Sequence, residues 1–148
     1  MIETTGAPTI GEVAAKIPKV SETATRATEL LRRAWDPSKG APVYTAAGRY
    51  ATRGWTEWTQ GFQFGNALYL FDLTGNEEML DYGREGTLRH MATHLSHVGV
   101  HDHGFNNVST YGNLLRLMQE GRIEENQWER SFYELALKVS GAIQAARW

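Results

Sequence analysis

Residues 57–73 constrain this fold more than any other stretch. Phe62, Phe64, Ala67, Leu68, Tyr69, Leu70 and Phe71 leave few polar positions around the helix their spacing predicts, so that helix is buried on several sides. Gly75 stops it, and Asn76-Glu77-Glu78 starts another at once, a capping residue followed by two acids that the helix N-terminal dipole favours. The two helices therefore form a tight hairpin. The returning helix, about residues 77–98, carries Leu88, Met91, Ala92, Leu95 and Val98 on one face and reads as an outer helix that Gly99 ends. The pattern then recurs. Residues 110–118 form another inner-type helix, Gly121 breaks it, and residues 124–147 supply another amphipathic one. Gly75-Asn76-Glu77-Glu78 and Gly121-Arg122-Ile123-Glu124-Glu125 occupy equivalent positions, the mark of a stacked helical-hairpin array.

Upstream, residues 21–35 predict a first amphipathic helix, with Ala24, Ala27, Leu30, Leu31 and Ala34 on one side. Pro37, Gly40, Pro42 and Gly48 make residues 36–54 an irregular segment across one end of a helical body. The 148 residues read as a single domain, of which 1–54 are the N-terminal helix and irregular loop. The last residues, 142–148, hold no glycine, proline or cap that would close a domain, so the array is expected either to continue or to self-associate through an open inner face.

The net charge is −2 and the basic residues form no stripe, which argues against nucleic acid as a partner. The absence of cysteine excludes disulfides, thiolate metal sites and cysteine nucleophiles, and agrees with a reducing compartment. The first residues show no basic start followed by an apolar run, and no span approaches membrane-crossing length. The expectation is a cytoplasmic protein with no membrane partner.

Chemistry concentrates in His101-Asp102-His103-Gly104-Phe105, a carboxylate between two imidazoles in a loop between helices. Trp55, Trp58 and Phe62 recur at near-helical spacing, followed by Phe64, Gly65 and Asn66. Each feature has a plainer reading beside the functional one. Asp102 can cap the following helix; the aromatic residues can be core or a sugar-stacking platform; Gly61 and Gly65 can serve close helix packing. His90, His94 and His97 fall on one predicted helical face, but no acid or cysteine shares the stripe, so a metal site is not expected. His101 and His103 read instead as partners of Asp102. Arg116 is a candidate for binding a substrate carboxylate, with a structural ion pair as the alternative.

Trp58-Thr59-Gln60-Gly61-Phe62-Gln63-Phe64-Gly65, Leu70-Phe71-Asp72-Leu73-Thr74-Gly75-Asn76-Glu77-Glu78, His101-Asp102-His103-Gly104-Phe105 and Tyr111-Gly112-Asn113-Leu114-Leu115-Arg116-Leu117 together resemble the unsaturated glucuronyl hydrolases of glycoside hydrolase family 88, in order and spacing as well as in letters. The resemblance covers about residues 55–147. The family's first motif reads W-T-x-G-F-W-P-G, from which Gln63 and Phe64 depart, removing one tryptophan that would stack on sugar.

The resemblance implies an all-α, (α/α)6-barrel fold, of which this chain is an incomplete N-terminal portion. It implies removal of a 4,5-unsaturated uronic acid from the non-reducing end of lyase-generated oligosaccharides, by hydration of the double bond rather than through a glycosyl-enzyme. Asp102 matches the aspartate that orients the reacting ring. The family's general acid and base lies later than this sequence extends, so little activity is expected of this chain by itself. Trp58, Phe62, His101, Phe105, Asn113 and Arg116 are the expected substrate-binding residues, with no metal and no cofactor. The alternatives are an unsaturated rhamnogalacturonyl hydrolase of the same fold and a non-catalytic, truncated helical-hairpin module that binds sugar or protein.

Overall fold

The computed structural model describes residues 6–53 and 57–147. The chain is predominantly helical: α1 spans Ile10–Ala14, α2 Ile17–Ala34, α3 Thr59–Thr74, α4 Glu77–His90, α5 Asn113–Gln119 and α6 Gln127–Ala145. A π-helical segment, Gly104–Gly112, runs directly into α5. No helix of the described residues is long and apolar enough to cross a membrane.

The α3–α4 hairpin forms where the residues predict it. Gly75 takes φ 71°, a left-handed conformation that ends α3, and the Asn76 side chain accepts the Glu78 amide to open α4. Gly121, at φ 66°, makes the matching stop after α5. Here the cap comes later than expected: Asn126 accepts the Trp128 and Glu129 amides, so α6 starts at Gln127. Gly61 packs on Phe105 and Asn106 and Gly65 on Ser109, so α3 runs parallel to the helix over residues 104–119. The outer helices α4 and α6 are tied by Arg84 to Glu129 at 2.7 Å. The linked pairs Gly61–Asn106, Asp72–Arg116 and Arg84–Glu129 are 45, 44 and 45 residues apart, a single chain offset relating one hairpin to the next. Two adjoining hairpins flanked by α2 are what the described residues display; a closed ring is not among them.

The core lies between the hairpins, where Phe64, Leu68, Met79, Tyr111, Leu114, Leu117 and Tyr133 have no solvent exposure. As expected, α3 is buried nearly all round, although Asn66, Tyr69 and Leu73 face outward.

Four expectations are corrected. Residues 36–54 are not wholly irregular: β1, Tyr44–Ala46, pairs antiparallel with β2, Arg49–Ala51. Ala47 and Gly48 both take positive φ, as a two-residue hairpin turn requires. The first long helix begins at Ile17, since Pro18 is well placed in a first turn and Ser21 is interior. The outer helix ends at His90 rather than at residue 98 and packs through Met79, Leu80, Gly83, Gly86 and Thr87. Those glycines face inward because the Phe64 ring and Leu68 side chain fill the space a β-carbon would need, a signal that apolar counting misses. Finally, helical structure resumes at Gly104 rather than at residue 110, because Asn106 and Asn107 find buried partners that compensate for their weak helix propensity.

Candidate functional site

Gly61 has no side chain, and the Phe105–Asn106 backbone occupies the space where one would stand. That approach lets the Asn106 side chain accept the Gly61 amide at 3.0 Å, so a residue of the second hairpin caps the first turn of α3. The N-terminal ends of the two parallel inner helices are thereby held together, and their aromatic side chains meet. Trp58 and Phe62 ring centroids lie 5.6 Å apart edge to face, Trp58 and Phe105 5.8 Å, and Phe62 and Phe105 5.5 Å. Trp58 and Phe105 are 42 % and 49 % exposed, so the cluster is a platform open to solvent rather than core. The structure brings these three expected residues together. Trp55 lies outside the described residues.

Asp102 stands just before Phe105, and its carbonyl accepts the Asn106 amide at 3.0 Å. Its side chain is mostly buried at 18 % exposure, with Oδ1 3.6 Å from Nε2 of the exposed His101. His103 does not share in this contact, contrary to expectation. Its Nε2 donates to the His97 carbonyl at 2.8 Å, and its Nδ1 accepts the Ser140 hydroxyl at 2.9 Å, turning the ring toward α6.

The loop before Asp102 is fastened by a buried polar network that sequence reading missed. His94 is 1 % exposed, and its Nε2 donates to the Gln60 side-chain oxygen at 2.7 Å. Burial, reinforced by the neighbouring His97 and His103, pushes His94 down to about 4, so at neutral pH it is an uncharged hydrogen-bond donor. Asn107 donates to the His94 carbonyl at 3.2 Å and to Ser140 Oγ at 2.9 Å. Gln60, His94, His103, Asn107 and Ser140 thus hold the 91–103 segment against α3 and α6. The sequence signals were faint: an Asn106-Asn107 pair after the loop, and a serine on the buried side of α6.

The histidine stripe is not a stripe. The helix ends at His90, whose ring stacks on Phe64 at 5.6 Å, while His94 turns inward. Among the described residues no group of His, Cys, Asp or Glu side chains could hold a metal ion.

Asn113 and Arg116 do not join Asp102. The Arg116 guanidinium binds Asp72 at 2.8 Å, Glu120 at 2.6 Å and the Asn113 oxygen at 2.8 Å. Asp72 is near the C-terminal end of α3 and Trp58 precedes its first turn, about 20 Å apart at the rise of an α-helix. The alternative reading of Arg116, a structural ion pair, is the one the geometry supports. The site is therefore an aromatic platform that can stack on the apolar face of a sugar ring; the Asp102 carboxylate, three residues before Phe105 in the chain, can accept hydroxyl hydrogen bonds. Comparison of the chain with protein families, curated proteins and solved structures found no match.

Proposed function

We propose that the chain is a carbohydrate-active helical domain whose chemistry is that of the unsaturated uronyl hydrolases. The observation that carries this reading is the meeting of Trp58, Phe62 and Phe105 as a half-exposed platform at the end of the hairpin pair where Asp102 is held. In the proposed reaction water adds across the C4–C5 double bond of a terminal unsaturated uronic acid, one carbon gaining a proton and its neighbour a hydroxyl. The resulting hemiketal opens and releases the remaining sugar. Asp102 fits the part of the carboxylate that orients the ring, since its loop is fixed by the His94–Gln60 and His103–Ser140 hydrogen bonds. The (α/α)6 barrel belongs to the same proposal: two hairpins with parallel inner helices are the repeating unit such a ring requires. A rhamnogalacturonyl substrate fits equally, and substrate profiling separates the two.

A second reading, a non-catalytic sugar-binding module, draws on Arg116. Its guanidinium is already taken by Asp72 and Glu120 and is not available to a uronate carboxylate at the platform. Calorimetric titration with a Δ4,5-unsaturated disaccharide separates the readings. The hydrolase reading expects saturable binding that Asp102→Asn weakens by about tenfold or more, the scale of a charge-assisted hydrogen bond. Binding that Asp102→Asn leaves unchanged selects the module, and no binding at all rejects the hydrolase reading and any module for this disaccharide.

A further inference from the structure

Beside the platform, between α2, the β-hairpin and the first turns of α3, lies a groove of about 290 Å³ that does not include Asp102. Thr28, Tyr50, Trp58, Thr59, Gln63 and Asn66 are among its lining residues, and none of the described lining residues is charged. Two of these residues carry a buried polar atom without a partner: Thr59 Oγ1 and Gln63 Oε1. The Gln63 side chain, only 4 % exposed, donates from Nε2 to the Tyr82 hydroxyl at 3.1 Å, which directs its oxygen away from Tyr82. A buried acceptor left without a donor is destabilising; both oxygens are closed off from solvent, so a ligand O–H reaches them after a rotation of the Thr59 or Gln63 side chain and recovers a hydrogen bond that the free protein lacks.

The lining selects the ligand class. A purely apolar ligand would leave both oxygens unpartnered. A carboxylate would enter a groove with no Lys or Arg to pair it, at a desolvation cost nothing offsets. A neutral polyhydroxyl ring satisfies the oxygens through its hydroxyls and the aromatic walls through its C–H face, and the volume sits at the small end of ligand pockets, the size for one ring. Trp58 and Phe62 belong to both groove and platform, so a sugar chain can pass from one to the other. We propose that this groove binds a neutral sugar residue, with Gln63 and Thr59 as hydrogen-bond partners and Tyr50 and Trp58 as stacking surfaces. The proposal shares the carbohydrate reading of the platform but does not depend on hydrolysis.

The test is a ¹H–¹⁵N NMR titration of the full chain, with cellobiose as the neutral probe and glucuronate as the charged one. Cellobiose is expected to give saturable shifts in the side-chain amides of Gln63 and Asn66 and in the Trp58 indole N–H, with glucuronate about tenfold weaker. Asn66 is exposed, so Asn66→Ala keeps the fold and should weaken cellobiose by about fivefold, the loss of one neutral hydrogen bond. Gln63→Leu should abolish the shifts of the Asn66 side chain and the Trp58 indole N–H. No saturable shift with cellobiose, or equal affinity for glucuronate, overturns the groove assignment. Cellobiose binding without any binding of the unsaturated disaccharide upholds the groove while the hydrolase reading fails; the reverse pattern does the opposite.

Discussion

Replacing Gly61 by alanine tests most sharply how the two hairpins meet. A β-carbon there would stand 2.1 Å from the Phe105 carbonyl oxygen and 2.5 Å from the Asn106 Cα. Both are backbone atoms, and ordinary contact lies near 3.5 Å, so relief requires the two inner helices to part by about 1 Å. Parting stretches the bond from the Gly61 amide to Asn106, now 3.0 Å, and spreads the ends that hold the platform. Overpacking of this kind costs about 1–3 kcal/mol and the strained buried hydrogen bond about 1 kcal/mol more, against about 1 kcal/mol gained from alanine's helix propensity. The net is roughly 1–3 kcal/mol of destabilisation. Gly141 is the control: it lies within α6, and an added β-carbon there meets nothing within 4 Å, so Gly141→Ala stabilises by up to about 1 kcal/mol. Near this chain length each kcal/mol moves Tm by about 2–4 °C, within reach of differential scanning calorimetry. A Gly61→Ala protein that melts no lower than the parent, while Gly141→Ala behaves as stated, would refute the close approach.

Acid should loosen the 91–103 segment through His94. In the unfolded chain His94 titrates near 6.5 and in the folded chain near 4, so between those values the unfolded state holds the extra proton. Its contribution is full above about pH 6.5 and is lost as the pH falls toward 4, by at most roughly 3 kcal/mol. His94→Gln should flatten that limb of the pH–stability curve measured by urea denaturation; an unchanged limb would show that another group is responsible. Asn126→Ala removes the acceptor for two α6 amides and should cost about 1 kcal/mol, with Asn126→Gly milder, both read from urea midpoints. A Trp58→Ala protein should lose roughly 1–2 kcal/mol of stability with its contacts to Phe62 and Phe105, and should lose sugar binding measured by calorimetry at a temperature where it stays folded.

The hairpin at Gly75 was legible because its chemistry is local: a glycine free to take positive φ, an asparagine cap and two acids specify the turn without help from distant residues. Trp58 and Phe62 were legible as a pair in residue type and spacing, and Phe105 through the family resemblance alone. Their separation from Asn113 and Arg116 was not, since it follows from two parallel helices in register, and that register is set by Gly61 and Gly65 against backbone. His94 reads as a polar-face residue in a helical wheel. Its burial is compensated by the Gln60 side chain, 34 positions earlier. The π-helical turn at Gly104–Gly112 likewise depends on Asn106 and Asn107 finding acceptors and donors on other helices, information that no local window contains.

The most direct measurement is the position of a bound Δ4,5-unsaturated disaccharide, obtained from intermolecular nuclear Overhauser effects or a soaked crystal. The unsaturated ring is expected against Trp58 or Phe105, with a hydroxyl within hydrogen-bond reach of the Asp102 carboxylate. A disaccharide seated away from the three rings, with Asp102 untouched, would contradict the proposed function.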